Sequence, residues 1–303
     1  MKQLVILSGK GGTGKTCVAA AFAHLAAEGH PRLRAVLADA DVDASNLELV
    51  LEARPLKAHA FAGGAVAGIV PQRCSACGRC WDVCRFEAVV RPSGDGVAYA
   101  IDPLGCEGCA ACFYQCPEQA IQMTPQRAGY WFRSASRYGP LYHAALDPAQ
   151  ENSGKLVTIV KQQARLLAID TGAEAIIVDG PPGIGCPVIS AASGADLALI
   201  VAEPTAAGIH DMARVLATTT HFRIPALVCI NKADIYDAGA EEIEAYCCGQ
   251  GIPIAGRIPF DMTVTEAVRQ GKPVTAFAPA APASVAVVEI WESVAARLMC
   301  EQG

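Results

Sequence analysis

The sequence predicts an α/β chain in which a parallel sheet, covered by helices on both faces, is interrupted by a small cysteine-rich α+β segment. Three observations point there. Near-continuous apolar runs (QLVIL, AVLAD, AIIVD, DLALIVA, ALVCI, IPIAGRI) alternate with helical patterns. A glycine-rich turn separates the first run from an alanine-rich helix, and eight of the 14 cysteines crowd between Cys74 and Cys116. Strands apolar at every position belong in a sheet buried on both sides, joined by right-handed crossovers.

QLVIL reads as the first strand, Lys15 to Glu28 as the helix after the glycine turn, and AVLAD as the second strand, so the chain opens on a βαβ unit. From about Gly63 the texture changes: Gly, Pro and Cys replace the apolar periods, which return near Met123. Residues 1–62 and 125–303 therefore read as two parts of one domain, with 63–124 inserted between them. After a stretch containing Gly, Tyr and Ser, from Gly129 to Asp147, a helix begins near Lys155. Strands and helices then alternate until Ser284 to Met299 closes the chain as a helix. The internal repeat is the cysteine pattern, whose second copy follows about 32 residues after the first.

At 303 residues, 52% hydrophobic and 18% charged, the chain can bury a full-sized core. A net charge of -6 gives no bulk attraction to nucleic acid or to an anionic membrane surface, so neither is expected as a partner. The opening MKQLVILSGK is too short in its apolar run for a signal peptide, and no later stretch reaches the roughly 18 apolar residues of a bilayer span. Cysteines in this number and spacing read as metal ligands, which survive best in a reducing compartment, so a cytoplasmic protein is expected.

Gly9-Lys10-Gly11-Gly12-Thr13-Gly14-Lys15-Thr16 fits G-x-x-x-x-G-K-[ST], between a strand and a helix as a phosphate cradle requires. Backbone N–H groups of such a loop close around phosphates at a helix N-terminus, Lys15 reaches the β and γ oxygens, and the Thr16 hydroxyl ligates magnesium. Cys17 follows directly and is counted with the nucleotide-contacting run, although its helical face reads as apolar. The same stretch satisfies G-x-G-x-x-G, and Asp39 ends the next strand where a dinucleotide fold carries its ribose-binding acid, so an NAD-binding domain is the alternative. The Lys-Thr ending and a later acid, Asp179, are needed by a triphosphate and not by a dinucleotide. Asp179 follows AIIV and precedes Gly-Pro-Pro-Gly, at the carboxyl end of a strand, where it suits magnesium or, more plainly, caps a turn. Asp39, Asp41, Asp43 and Asn46 cluster in DADVDASN; one carboxylate there can orient or deprotonate the attacking water, and a solvated acidic turn is the bland alternative.

With these motifs the chain resembles the MinD/Mrp-type ATPases, which share a deviant P-loop fold with the nitrogenase iron protein. The resemblance rests on Lys10 to Thr16 and is extended by Asp39-Ala40-Asp41 with Asn46-Leu47 as a first switch, and by Asp179-Gly180-Pro181-Pro182-Gly183 as a second. It implies a P-loop NTPase layer with ATP and Mg²⁺ as ligands. It also implies a sandwich dimer in which Lys10 reaches the partner's nucleotide, Asp41 as the water-activating residue, and Asp39 and Asp179 near the magnesium. Asn231-Lys232-Ala233-Asp234 looks like the base-contacting segment, with Asn231 against adenine; Pro259-Phe260-Asp261 is similarly placed to line the base pocket, and an ordinary strand-to-helix loop accounts for those three equally well. N-K-x-D is equally the guanine-reading element of GTPases, so that motif alone leaves ATP and GTP open.

Cys74-x2-Cys77-x2-Cys80-x3-Cys84 and Cys106-x2-Cys109-x2-Cys112-x3-Cys116-Pro117 are two copies of the bacterial ferredoxin run. In that pattern three thiolates grip one 4Fe-4S cube and the fourth reaches the other. Cys74, Cys77, Cys80 and Cys116 are thus expected around one cluster, and Cys84, Cys106, Cys109 and Cys112 around the second. Tetrahedral zinc is the competing reading, but it uses paired ligands rather than doubled triplets with a spaced fourth. Arg85 stands where the run usually has Pro, which puts the local turn in question. Cys17 and Cys229 read as small core residues, Cys186 as packing, and His24, His59, His143 and His210 have no evident partners.

The expected function is an ATPase whose dimer cycle gates electron transfer, or delivery of an iron-sulfur or metal cofactor, to a partner metalloprotein; the dimer is with itself or with a paralogous ATPase. The alternative is a MinD-like positioning or scaffolding switch with structural clusters. The C-terminus from Leu298 to Gly303 lacks the basic amphipathic helix that membrane cycling needs.

Overall fold

The structure, a computed structural model, describes residues 1–29, 31–91, 98–148 and 153–300, so the last residues of the C-terminal segment just discussed lie outside it. In chain order the elements are β1 (Lys2–Ser8), α1 (Lys15–Glu28), β2 (Ala35–Asp39), α2 (Leu47–Val50), β3 (Arg54–Ile69), α3 (Arg79–Val83), β4 (Val89–Val90), β5 (Ala100–Ile101) and α4 (Ala111–Gln115). There follow β6 (Ile121–Ser136), β7 (Gly139–Leu146), α5 (Ser153–Thr171), β8 (Ala175–Pro182), α6 (Cys186–Ala192), β9 (Leu197–Ala202), α7 (Ala206–His221) and β10 (Ala226–Asn231). The chain ends with α8 (Asp237–Gly249), β11 (Ile254–Ile258), α9 (Met262–Arg269), α10 (Val274–Phe277) and α11 (Pro282–Met299).

The main sheet runs β11-β10-β9-β1-β8-β2-β7-β6-β3. β1 pairs in parallel with β8 and β9, β2 with β8 and β7, and β10 with β9 and β11. The mostly parallel α/β sheet expected from the apolar runs is therefore present, and its central strands are buried at nearly every position: Leu4, Val5, Ile6 and Leu7 are all fully inaccessible. One face carries α1, α10 and α11, whose Phe22 and Trp291 rings meet at 5.0 Å in a cluster with Leu4, Ile6 and Leu37. α5, α6 and α7 also pack on the strands.

The chain divides into two compact units, one made of Met1–His59, Tyr130–Leu146 and the residues from Ser153 on, the other of Ala60–Gly129 with the segment starting at Asp147. We call them the sheet unit and the cysteine unit. The boundaries expected near residues 63 and 124 fall inside strands, because β3 and β6 each run from one unit into the other. Composition changes where Gly and Cys begin, whereas the backbone leaves the sheet only at a strand end. The stretch from Gly129 to Asp147 is largely the β6–β7 hairpin, pinned by Trp131 against Tyr142 and Phe132 stacked on His143. No helix among the described residues is long and apolar enough to cross a membrane.

Candidate functional site

The glycine loop leaves β1 at Ser8 and enters α1 at Lys15. Gly14 caps the helix with φ +93°, and a Cβ there would lie 2.3 Å from the Asn231 side-chain amide, so both backbone and space demand glycine. The loop borders a cleft of about 650 Å³, a size suited to a small-molecule ligand. Gly11, Gly12, Gly14, Lys15, Thr16 and Cys17 line one part of it, and Asp41, Asp43, Asn46, Pro181 and Pro182 another.

Parallel strands deliver the acids. Asp39 ends β2 and is the register partner of Asp179 in β8; Glu203 directly follows β9, and Asn231 ends β10. These are carboxyl ends of parallel strands, where ligands sit in open α/β sheets.

Asp39 is fully buried but well satisfied: one oxygen accepts from the Asp41 N–H at 3.0 Å. The other accepts from the Ser45 hydroxyl and the N–H groups of Asn46 and Leu47 at 2.8, 3.2 and 3.1 Å. It organises the loop into α2. Asp179 is equally buried, yet neither of its oxygens has a partner of hydrogen-bond geometry. Burial, then the charge of Asp39, push its carboxyl well above the usual range, although Thr16 and Lys15 lie close enough to oppose the shift. Lys15 itself is 6% exposed; burial lowers its pKa while Asp179, Asp41 and Asp39 pull it back up. Asp41 is raised to about 6, first by burial and then by Asp39.

Lys10 and Lys232 share one acid, Glu203, with Lys10 Nζ at 2.8 Å from its carboxylate. Burial raises the Glu203 pKa, but the hydrogen bonds from both lysines outweigh it and hold the carboxyl below the usual range. Sequence reasoning missed Glu203; the available signal was an acid just past a strand's carboxyl end, as at Asp39. The segment expected to contact the base holds the glycine loop and its own following turn. The Asn231 amide donates to the Thr13 carbonyl at 2.7 Å, Asp234 accepts from the Phe260 N–H at 2.6 Å, and neither these residues nor Pro259 line the cleft. Asn231 ties β10 to the glycine loop.

Two histidines expected to lack partners have polar ones. His24 Nδ1 lies 2.9 Å from the Thr275 hydroxyl. His143 sits between the Ser134 hydroxyl at 2.8 Å and Glu48 at 3.0 Å. That Ser-His-Glu chain has the connectivity of a hydrolytic triad, but Ser134 is fully buried, so it locks the β6–β7 hairpin to α2 rather than meeting a substrate. Cys229 is a core residue, its thiol pushed up to about 12 by burial.

In the cysteine unit the sequence repeat becomes a backbone repeat. Ala76 and Gly108, Gly78 and Ala110, and Glu87 and Gln119 all have positive φ, and each pair is 32 residues apart. Gly78 and Ala110 cap the short helices α3 and α4 in the left-handed conformation. Gly108 must be glycine, since a Cβ would lie 2.2 Å from the Ala65 carbonyl oxygen. Two cavities result. Cys74, Cys77, Cys80 and Cys116 line one, and Cys84, Cys106, Cys109 and Cys112 line the other. The thiols surround these spaces without converging on a point: among the described residues no three His, Cys, Asp or Glu are grouped to hold a single metal ion.

A strand, a glycine-rich cradle and a helix, with strand-end acids around a common cleft, define a P-loop nucleotide-binding protein. The chain belongs to the family of the CobQ/CobB/MinD/ParA nucleotide-binding domain, whose model matches residues 4–274. It is similar to an uncharacterized protein of Methanocaldococcus jannaschii, MJ0578, at 34% identity over 76% of this chain and 78% of that one. An uncharacterized ATP-binding protein of the same organism, MJ0547, is 27% identical over 95% of this chain and 85% of its own length. Among solved structures, the septum site-determining protein MinD of Pyrococcus horikoshii, complexed with Mg-ADP, superposes with a TM-score of 0.57 at 17% identity, covering 97% of this chain and 95% of that one.

Proposed function

We propose that this MinD/ParA-type chain is a Mg²⁺-dependent ATPase that carries two 4Fe-4S clusters in an inserted ferredoxin-like unit spanning about residues 63–124. Its nucleotide-driven dimer cycle is coupled to electron transfer, or to delivery of an iron-sulfur or metal cofactor, to a partner metalloprotein. The observation that carries the reading is the pairing of one nucleotide cleft with two cavities, each lined by four cysteines.

The N–H groups of Gly11 to Lys15 and the Lys15 ammonium bind and orient the phosphates, and Asp41 holds or takes the proton of the attacking water. Asp179 and Thr16 fit a magnesium ion, because a buried carboxylate without partners beside a hydroxyl has unused acceptor capacity. Asp39, whose oxygens are already engaged, acts on the ion through the loop it shapes. Magnesium, when bound, neutralises charge on the β and γ phosphates. Lys10, held by Glu203 within its own protomer, is the residue that dimerisation would transfer to a partner's nucleotide. Asn231 supports the cradle, and Lys232, Asp234 and Pro259 stay at its margin.

The cysteine sets fit cubane clusters: each cavity draws three thiols from one run and one from the other, as the ferredoxin run requires. Such clusters, when bound, supply one-electron transfer. A positioning switch with structural clusters is the second reading, favoured by the likeness to MinD in fold. Anaerobic titration of the cluster-loaded, reduced protein with and without MgATP, following cluster potential and ATP turnover together, separates the two. A nucleotide-dependent shift in potential or in electron release supports coupling; turnover with indifferent clusters supports the switch.

A further inference from the structure

The backbone repeat gives the two cysteine cavities matching turns 32 residues apart, which makes their linings comparable position by position. Each cavity sits beside one short helix, α3 or α4, capped by a left-handed residue, and each has one exposed cysteine, Cys77 or Cys109. At equivalent positions the linings diverge. The first cavity has Arg79 where the second has Ala111, and Ser75 where the second has Glu107. Glu118 borders the first, where its counterpart Phe86 borders the second. The first lining therefore holds one cation and one anion, and the second an anion alone.

Hydrogen-bond donors differ in the same sense. Tyr99 lines the first cavity, is 9% exposed, and has no hydrogen-bond partner among the described residues. Its hydroxyl approaches the cavity wall closely enough that a Cβ on Gly78 would lie 3.2 Å from it. The residue 32 positions earlier, Ala67, lines the second cavity and offers no donor. In addition, the Ala120 N–H donates to Cys116 Sγ at 3.3 Å in the first set. Positive charge and donors to sulfur both stabilise the reduced, more negative cluster and so raise its potential.

We propose that the site formed by Cys74, Cys77, Cys80 and Cys116 has the higher reduction potential, set by Arg79 and Tyr99, and that the site containing Cys109 is lowered by Glu107. This rests on the cluster reading above. An electron lost by the second site is the one gained by the first, with no bond made or broken, so the first is where a single electron resides at equilibrium.

The test is an anaerobic redox titration of the full-length, cluster-loaded chain with dithionite and mediators, followed by electron paramagnetic resonance. The expected result is two resolved one-electron steps. Arg79→Ala and Tyr99→Phe move the upper step to a more negative potential and leave the lower in place, whereas Glu107→Ser moves the lower step up and narrows the gap. Each exchange at 79 and 107 uses the residue found in the other copy, and Tyr99→Phe removes only a hydroxyl, so the three variants check one another if one of them loses iron. The ordering is overturned if Arg79→Ala or Tyr99→Phe shifts the lower step, or if the wild type reduces in one unresolved step. Iron well below about eight atoms per chain, the complement of two cubanes, counts against the cluster reading itself; full iron with the reverse assignment counts against the ordering alone.

Discussion

In the sheet unit, residues from Leu4 to Leu298 gather into an apolar cluster that includes Phe22 and Trp291. Among the described residues, the cysteine unit's own cluster buries Ala67, Cys80, Val89, Tyr99 and Ile121, with Cys84, Cys106, Cys112 and Cys116 packed partly against it. The first has enough apolar surface to fold on hydrophobic burial; the second is below the size at which a core of this kind suffices, and small domains of that sort rely on metals or cross-links. The difference teaches where each unit's order comes from. In the sheet unit, function is added to a stable layer as a cleft at its strand ends. In the cysteine unit, five of the cysteines proposed to hold clusters are themselves part of what packs.

Removing iron from the proposed clusters is the sharpest way to break this comparison. Chelation or apo-protein preparation should abolish hydrogen-exchange protection in β4, β5, α3 and α4 while the central strands β1, β8 and β9 keep theirs, because metal binding and folding are one event where the core is small. Equal protection in both units with and without iron would mean that the cysteine unit holds itself. Next in size, Lys15→Ala should reduce ATP turnover by roughly a hundredfold or more through loss of a preorganised charge at the phosphates, with iron content unchanged. Unaltered hydrolysis would sink the cleft assignment.

Trp291→Ala probes the other side of the contrast. It should cost about 3–5 kcal/mol in denaturant unfolding of the sheet unit, the range for emptying a buried tryptophan site, and should leave the cluster spectrum as it was. The smallest effect is one of pH. The base role proposed for Asp41 requires the ionised form, and its carboxyl is raised to about 6, so kcat/KM for ATP should be flat above that pH and fall about tenfold per unit below it. A profile level down to pH 5, or its survival in Asp41→Asn, would remove Asp41 from the reaction.

Much of the sheet unit was legible in advance. QLVIL and AIIVD are buried at nearly every position because they are central parallel strands, and a strand flanked by helices on both faces has no polar side to mark in the sequence. The limits of the insertion were less legible: Gly63 and residue 124 mark a change of composition, while β3 and β6 carry their pairing past those points. The hydrogen bond that Asn231 makes was also hidden. N-K-x-D signals a strand-end loop but not what the loop faces, and a hydrogen bond spanning 218 residues to Thr13 depends on β10 being brought near β1 by way of β9.

The sequence by itself determined the phosphate cradle and the spacing of the eight cysteines, since both are local: neighbouring residues fix whether a glycine turn can wrap a phosphate or a triplet of thiols can face one space. Only the tertiary structure decided that Asp39 is saturated while Asp179 is not, that Glu203 holds Lys10 and Lys232 together, and that Tyr99 faces one cysteine cavity and not its twin. Each of those depends on which strand ends lie side by side and which side chains share a cavity. Sheet order and packing set that, and residues far apart in the chain carry no local pattern that records it.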